Sequence, residues 1–131
     1  MIIVSGKRKT AVAKAAIKEG DGKVLINGKV IDSFTMLQQL ELREPLIIAN
    51  QVLGKMSFDI SVNVTGGGTA SRIEATRLAM AKAIIELTKD EKLRAAYIGY
   101  DRNMLIADIR RKEQYKPGDS KARAKRQTSY R

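Results

Sequence analysis

Residues 57–68 read SFDISVNVTGGG. Phe58, Ile60, Val62 and Val64 alternate with Ser57, Asp59, Ser61 and Asn63. A period of two sets an apolar face against a polar one, the pattern of a half-buried strand. Gly66, Gly67 and Gly68 end that strand, and the period then changes. From Arg72 to Thr88, Ile73, Met80, Ile84 and Leu87 form an apolar stripe, joined by Leu78, Ala81 and Ile85, with Lys82, Glu86 and Lys89 off it. That spacing predicts a helix, with Thr69 or Ser71 as its cap.

Working outward, Thr10 to Lys18 and Lys23 to Ile26 flank Gly20-Asp21-Gly22, which predicts two strands joined as a hairpin. Asn27-Gly28 marks a second turn. Phe34–Leu42 and Glu44–Leu53 read as two short helices, with Pro45 in the first turn of the second and Gly54 just past its end. Downstream, Asp90 is placed to cap a helix over Glu91–Ile98 that Gly99 closes. Strands come first and helices later, so the expected class is α+β, a mostly antiparallel sheet covered by helices.

The 131 residues suit one domain, or one domain with a tail. Lys and Arg number 25 against 14 Asp and Glu, a net charge of +11. Such an excess points to a polyanionic partner. Cys and His are both absent, which excludes disulfides, thiolate zinc and any Ser/His/Asp or Cys/His set. Met1-Ile2-Ile3-Val4 is too short for a secretory h-region, and no apolar run approaches a membrane span. The expected location is the cytoplasm.

The charge is unevenly spread. Residues 1–109 carry 16 basic and 12 acidic groups, whereas 110–131 carry nine basic groups against Glu113 and Asp119. The latter stretch contains no Val, Ile, Leu, Met or Phe and cannot repay the entropy of ordering by burial. It is expected to be a tail, disordered off its partner, that extends roughly 70–80 Å at 3.3–3.6 Å per residue.

Three stretches are candidates for chemistry. Gly66-Gly67-Gly68, between strand and helix, suits either a phosphate cradle of backbone N–H groups or a plain turn that needs positive φ. It lacks the Lys-Ser/Thr of a P-loop and the spacing of GxGxxG. Gly6-Lys7-Arg8-Lys9-Thr10 is a phosphate clamp or a solvated strand entry. Asp101, Asp108 and Glu113 sit beside arginines and read as ion-pair partners rather than as an acid/base couple.

Gly6-Lys-Arg-Lys-Thr-Ala-Val-Ala-Lys14, Gly22-Lys-Val-Leu-Ile-Asn-Gly-Lys29, Val64-Thr-Gly-Gly-Gly68 with Arg77 beyond it, and Lys121-Ala-Arg with Ser129-Tyr-Arg131 together resemble the family of the ninth protein of the small ribosomal subunit. Tyr100-Asp-Arg102, Ala107-Asp-Ile-Arg-Arg111 and the Ser-Tyr-Arg ending resemble its archaeal and eukaryotic branch. Arg72 stands where members usually carry Gln, and Ile109 where Pro is frequent.

The resemblance implies a four-stranded, mainly antiparallel sheet with a left-handed βαβ crossover, like domain two of the fifth small-subunit protein. It implies rRNA binding in the subunit head, with the tail directed at the anticodon stem-loop of peptidyl-site tRNA. The expected rRNA contacts are Lys7, Arg8, Lys9, Lys14, Gly66, Gly67, Gly68, Arg72 and Arg77 in a body spanning 1–109. In the tail they are Arg110, Arg111, Lys112, Lys116, Lys121, Arg123 and Lys125. Arg126, Ser129, Tyr130 and Arg131 are expected near the tRNA. Neighbouring head proteins are further expected partners, and no cofactor, metal, catalysis, membrane or small-molecule substrate is expected. A phosphotransfer enzyme and a free nucleic-acid-binding module are the alternatives from other classes.

Overall fold

The computed structural model describes residues 1–118, 121–124 and 129. Its elements are β1 (Ile2–Arg8), β2 (Ala11–Glu19), β3 (Val24–Ile26), β4 (Lys29–Val30), α1 (Met36–Leu53), β5 (Phe58–Thr65), α2 (Thr69–Thr88) and α3 (Glu91–Tyr100). Single 3-10 turns lie at Ile31–Ser33 and Arg102–Met104. The class is α+β, as the residue pattern predicts.

The five strands form one sheet in the order β1-β2-β5-β3-β4. The alternating stretch becomes β5, the middle strand. It runs antiparallel to β2, with Val12 opposite Thr65 and Glu19 opposite Phe58, and parallel to β3. The sheet is therefore mixed, and α1 is the crossover between parallel neighbours. The predicted hairpin of β2 and β3 does not form, because β5 lies between them. Asp59 of β5 instead gathers the loop, its Oδ1 accepting from the backbone N–H of Asp21, Gly22 and Lys23 at 2.9–3.1 Å. Those bonds, Lys23 foremost, hold its carboxyl below the usual range. Asn27-Gly28 does turn the chain from β3 into β4, both residues having positive φ.

Phe58, Ile60, Val62 and Val64 are buried, together with Ala11, Ala13, Ala15 and Ile17 of β2. They face α2, which also buries Leu78, Met80, Ala81 and Ile84. Gly6 permits the close approach of β1 to α2: a Cβ there would lie 2.5 Å from the Ala75 carbonyl oxygen and 2.7 Å from the Ala79 nitrogen. The other face of the sheet is open, presenting Ile3, Ser5, Lys7, Lys14, Lys18, Ser61, Asn63 and Thr65.

Helix boundaries depart from expectation in three places. Phe34–Leu42 and Glu44–Leu53 are not separate: one helix spans Met36–Leu53 with Pro45 inside it. Pro45 is buried, and its carbonyl accepts from the Tyr97 hydroxyl of α3 at 2.7 Å. Burial holds that phenol proton well above its usual range. Neither Thr69 nor Ser71 caps α2; Gly68 is the N-cap and no side chain closes the helix. Gly99 does not end α3, which continues to Tyr100, while Asp90 caps it by accepting from Lys92 N–H. Gly54 ends α1 in the left-handed conformation expected of it.

Candidate nucleic-acid interface

Two of the sequence candidates meet in space. β1 and β2 are joined by the two-residue turn Lys9-Thr10, with Arg8 paired to Ala11 and Lys9 at φ +52°. Gly66 and Gly67 have φ +74° and +68° and lie against this turn. A Cβ on Gly66 would come within 2.6 Å of the Thr10 carbonyl oxygen, and one on Gly67 within 2.8 Å of Ala11 Cβ. Positive φ and close approach thus both require glycine at these two positions. Arg72 Nε donates to the Gly66 carbonyl at 2.9 Å and ties α2 to the loop. With Gly68 as an uncapped N-terminus, the first N–H groups of α2 open beside the loop.

The start of the predicted tail closes on the same end. Lys7, Lys9 and Thr10 line one groove with Arg110, Arg111 and Lys112. No carboxylate among the described residues lines that groove. Lys7, Lys9, Arg110, Arg111 and Lys112 are all exposed.

What holds the segment there is an ion-pair chain. Arg8 bonds Glu74 of α2 and, at 2.6 Å, Asp108. Asp108 also accepts from the Arg110 backbone N–H at 2.8 Å and from its guanidinium at 2.7 Å. The Arg110 guanidinium, then its backbone N–H, hold the Asp108 carboxyl well below the ordinary range. Arg77 pairs with Glu44 and Asp101, and Arg123 with Glu113 at 2.6 Å. The three acids read as ion-pair partners are so engaged, though Asp101 takes Arg77 rather than its neighbour Arg102.

A division between the two cations follows. Among the described residues every ion pair uses an arginine, and none uses a lysine. Arg8, Arg77, Arg110 and Arg123 therefore spend charge on the chain's own carboxylates. Lys7, Lys9, Lys14, Lys116 and Lys121 are exposed without such a partner, and Lys112 lies 4.9 Å from the centre of the Tyr115 ring. Lys14 is on the open sheet face, diagonal to Lys7 across the β1–β2 pair, and does not line the groove. Ser129 is exposed, while Lys125, Arg126, Tyr130 and Arg131 lie outside the described residues. No group of three or more acidic side chains among the described residues is arranged to hold a metal, and no helix among them is long and apolar enough to cross a membrane.

The sequence signature of ribosomal protein S9/S16 matches residues 6–131. The chain belongs to that family. A protein of Picrophilus torridus named "Small ribosomal subunit protein uS9" is 53% identical over 133 residues, covering 99% of this chain and 97% of that protein. A protein of the same name from Methanococcus vannielii is 45% identical over 129 residues, 96% of this chain and 95% of its own length. One from Methanococcus maripaludis reaches 43% over the same span. Members of this family are structural proteins rather than enzymes, and the similarity to archaeal relatives agrees with the branch indicated by the Ser-Tyr-Arg ending.

Proposed function

We propose that the chain is a structural component of the small ribosomal subunit in the cytoplasm, binding rRNA in the subunit head and directing residues 110–131 toward the peptidyl-site tRNA. One observation carries the RNA reading: the Lys9-Thr10 turn, the Gly66–Gly68 loop and Arg110–Lys112 converge on one end, around a groove that no carboxylate among the described residues lines. The name of the relatives, small ribosomal subunit protein uS9, supports the subunit assignment.

The mechanism is electrostatic. Each phosphate neutralised releases condensed counterions, so log K falls with log salt by about 0.7–0.9 per contact. Lys7, Lys9, Lys14, Arg111, Lys112, Lys116 and Lys121 make those contacts, which position the protein and read no sequence. Gly66, Gly67, Gly68 and Arg72 offer backbone N–H groups and a guanidinium edge to a further phosphate. Arg8, Arg77, Arg110 and Arg123 act mainly by holding the interface in shape. Lys125 extends the rRNA contacts, and Arg126, Ser129, Tyr130 and Arg131 approach the anticodon stem-loop, a role that rests on the family's Ser-Tyr-Arg ending.

The native protein should co-sediment with small subunits in high salt. In assembled subunits, deletion of Tyr130 and Arg131 should weaken retention of peptidyl-site tRNA while leaving assembly intact. Unchanged tRNA affinity in such subunits would remove the tRNA role.

A further inference from the structure

Beside the glycine loop lies a second, smaller concavity, which shares only Arg72 with the contacts above. Its floor is apolar: Ile26 of β3, Val64 of β5 and Ile73 of α2 are each at most 5% exposed. One wall is Phe34, ahead of α1. The volume is about 200 Å³, below the roughly 300–1,000 Å³ of sites for drug-sized ligands. That volume is on the scale of a single planar base rather than of a nucleoside triphosphate.

The polar groups inside and around the cavity divide in an informative way. Those toward the floor are satisfied within the protein. Asn27 exchanges two hydrogen bonds with the Val64 backbone, at 2.8 and 3.2 Å, and Thr76 donates to the Arg72 carbonyl at 2.8 Å. Groups at the mouth have capacity to spare. Gln38 uses its oxygen to accept from Thr35 N–H, which leaves its amide N–H pair available. Arg72 commits Nε to Gly66, which leaves its terminal nitrogens available. Lys29 lines the mouth and is exposed. No acidic residue among those described lines the cavity. An apolar side chain from a protein neighbour would meet two cations there without a counter-charge, whereas a nucleotide brings both an apolar face and a phosphate.

We infer that this cavity receives one unpaired base of the bound RNA, stacked against Phe34, with its phosphate on Lys29 and Arg72. The slot is preformed. Phe34 is held by its backbone, its N–H donating to the Ile31 carbonyl at 3.1 Å and its own carbonyl accepting from Gln39 Nε2 at 2.8 Å. Base stacking on aromatic rings is how single-stranded RNA is gripped without a duplex groove. The inference rests on the rRNA reading above and adds to it a base, where that reading has only phosphates.

The test is base-specific chemical modification of a small-subunit rRNA transcript, free and bound to the full-length protein, with dimethyl sulfate and a carbodiimide. Wild type should protect one unpaired base. Phe34→Leu keeps an apolar side chain but removes the stacking face, and should restore reactivity at that base alone while weakening binding roughly 10-fold. Lys29→Glu, at an exposed strand position that bears on no core packing, should restore reactivity at the same base. If both complexes form and no base depends on either residue, the inference falls. Failure of the wild-type protein to bind the transcript at all is a different result, which removes the rRNA reading and this inference with it.

Discussion

Lys9 shows how one position serves both shape and charge. At φ +52° it occupies backbone space in which glycine is at ease and a side chain costs roughly 1–2 kcal/mol. Glycine at this turn would relieve that strain but give back about 0.5–1 kcal/mol in unfolded-chain entropy. Lys9→Gly should therefore leave denaturant stability within about 1 kcal/mol of wild type. RNA titrations across a salt series should show the slope reduced by about 0.7–0.9, the share of one phosphate contact. An unchanged slope would mean that Lys9 touches no phosphate. Gly6, two residues from Arg8, carries the opposite lesson. In sequence it heads a run of cations, yet its requirement comes from Ala75 and Ala79 of α2, some 70 residues away, where no local pattern registers it.

At the scale of elements, the link between β1 and the segment from Arg110 onward is Asp108. Its carboxyl is held below the ordinary range, so its stabilising contribution is complete above the unfolded value near 3.9 and fades as pH falls toward the depressed folded value. Hydrogen-exchange protection over residues 105–112 should accordingly decrease below about pH 4. Asp108→Asn should reproduce that loss at pH 7, freeing Arg110 and leaving Arg8 to Glu74 alone; protection indifferent to the substitution would show that the segment is held by other means. Elements built on local periodicity, β5 and α2, were legible in the sequence. α1 was not: a proline normally interrupts a helix interior, and the partner that secures Pro45 is Tyr97, 52 residues on. The β2–β3 pairing failed for a similar reason, since alternation identifies a strand's faces but not its neighbours.

Across the described residues, arginine supplies every internal ion pair, while lysine, with Arg102 and Arg111, supplies the unclaimed surface charge. The chain has 14 lysines among its 25 basic residues, so acetylating all of them would carry the net charge from +11 to −3. Amine-selective acetylation should therefore abolish salt-sensitive RNA binding while thermal unfolding of the body shifts by only a few degrees. An arginine-selective dione should instead lower the melting temperature, by opening the Arg8 and Arg77 pairs. Equal damage from the two reagents would count against the division. Composition made the basic character and its tilt toward 110–131 plain, but it could not tell which cations were already spoken for. That depended on Glu74, Asp108, Glu44 and Asp101 reaching arginines far from them in sequence.

The position of β5 has a consequence for how the chain is made. It pairs with β2 on one side and β3 on the other, yet it follows both, and α1, along the chain. A growing chain that ends before residue 58 can close the β1–β2 hairpin but has no strand to unite it with β3. Ala11, Ala13, Ala15 and Ile17 then wait without the helix that covers them, since α2 emerges later still. Folding during synthesis is thus delayed until most of the body has left the exit tunnel, and collapses into one late step. The basic hairpin turn is complete before that step, so the first part of the protein able to meet a polyanion is present while its core is still unmade.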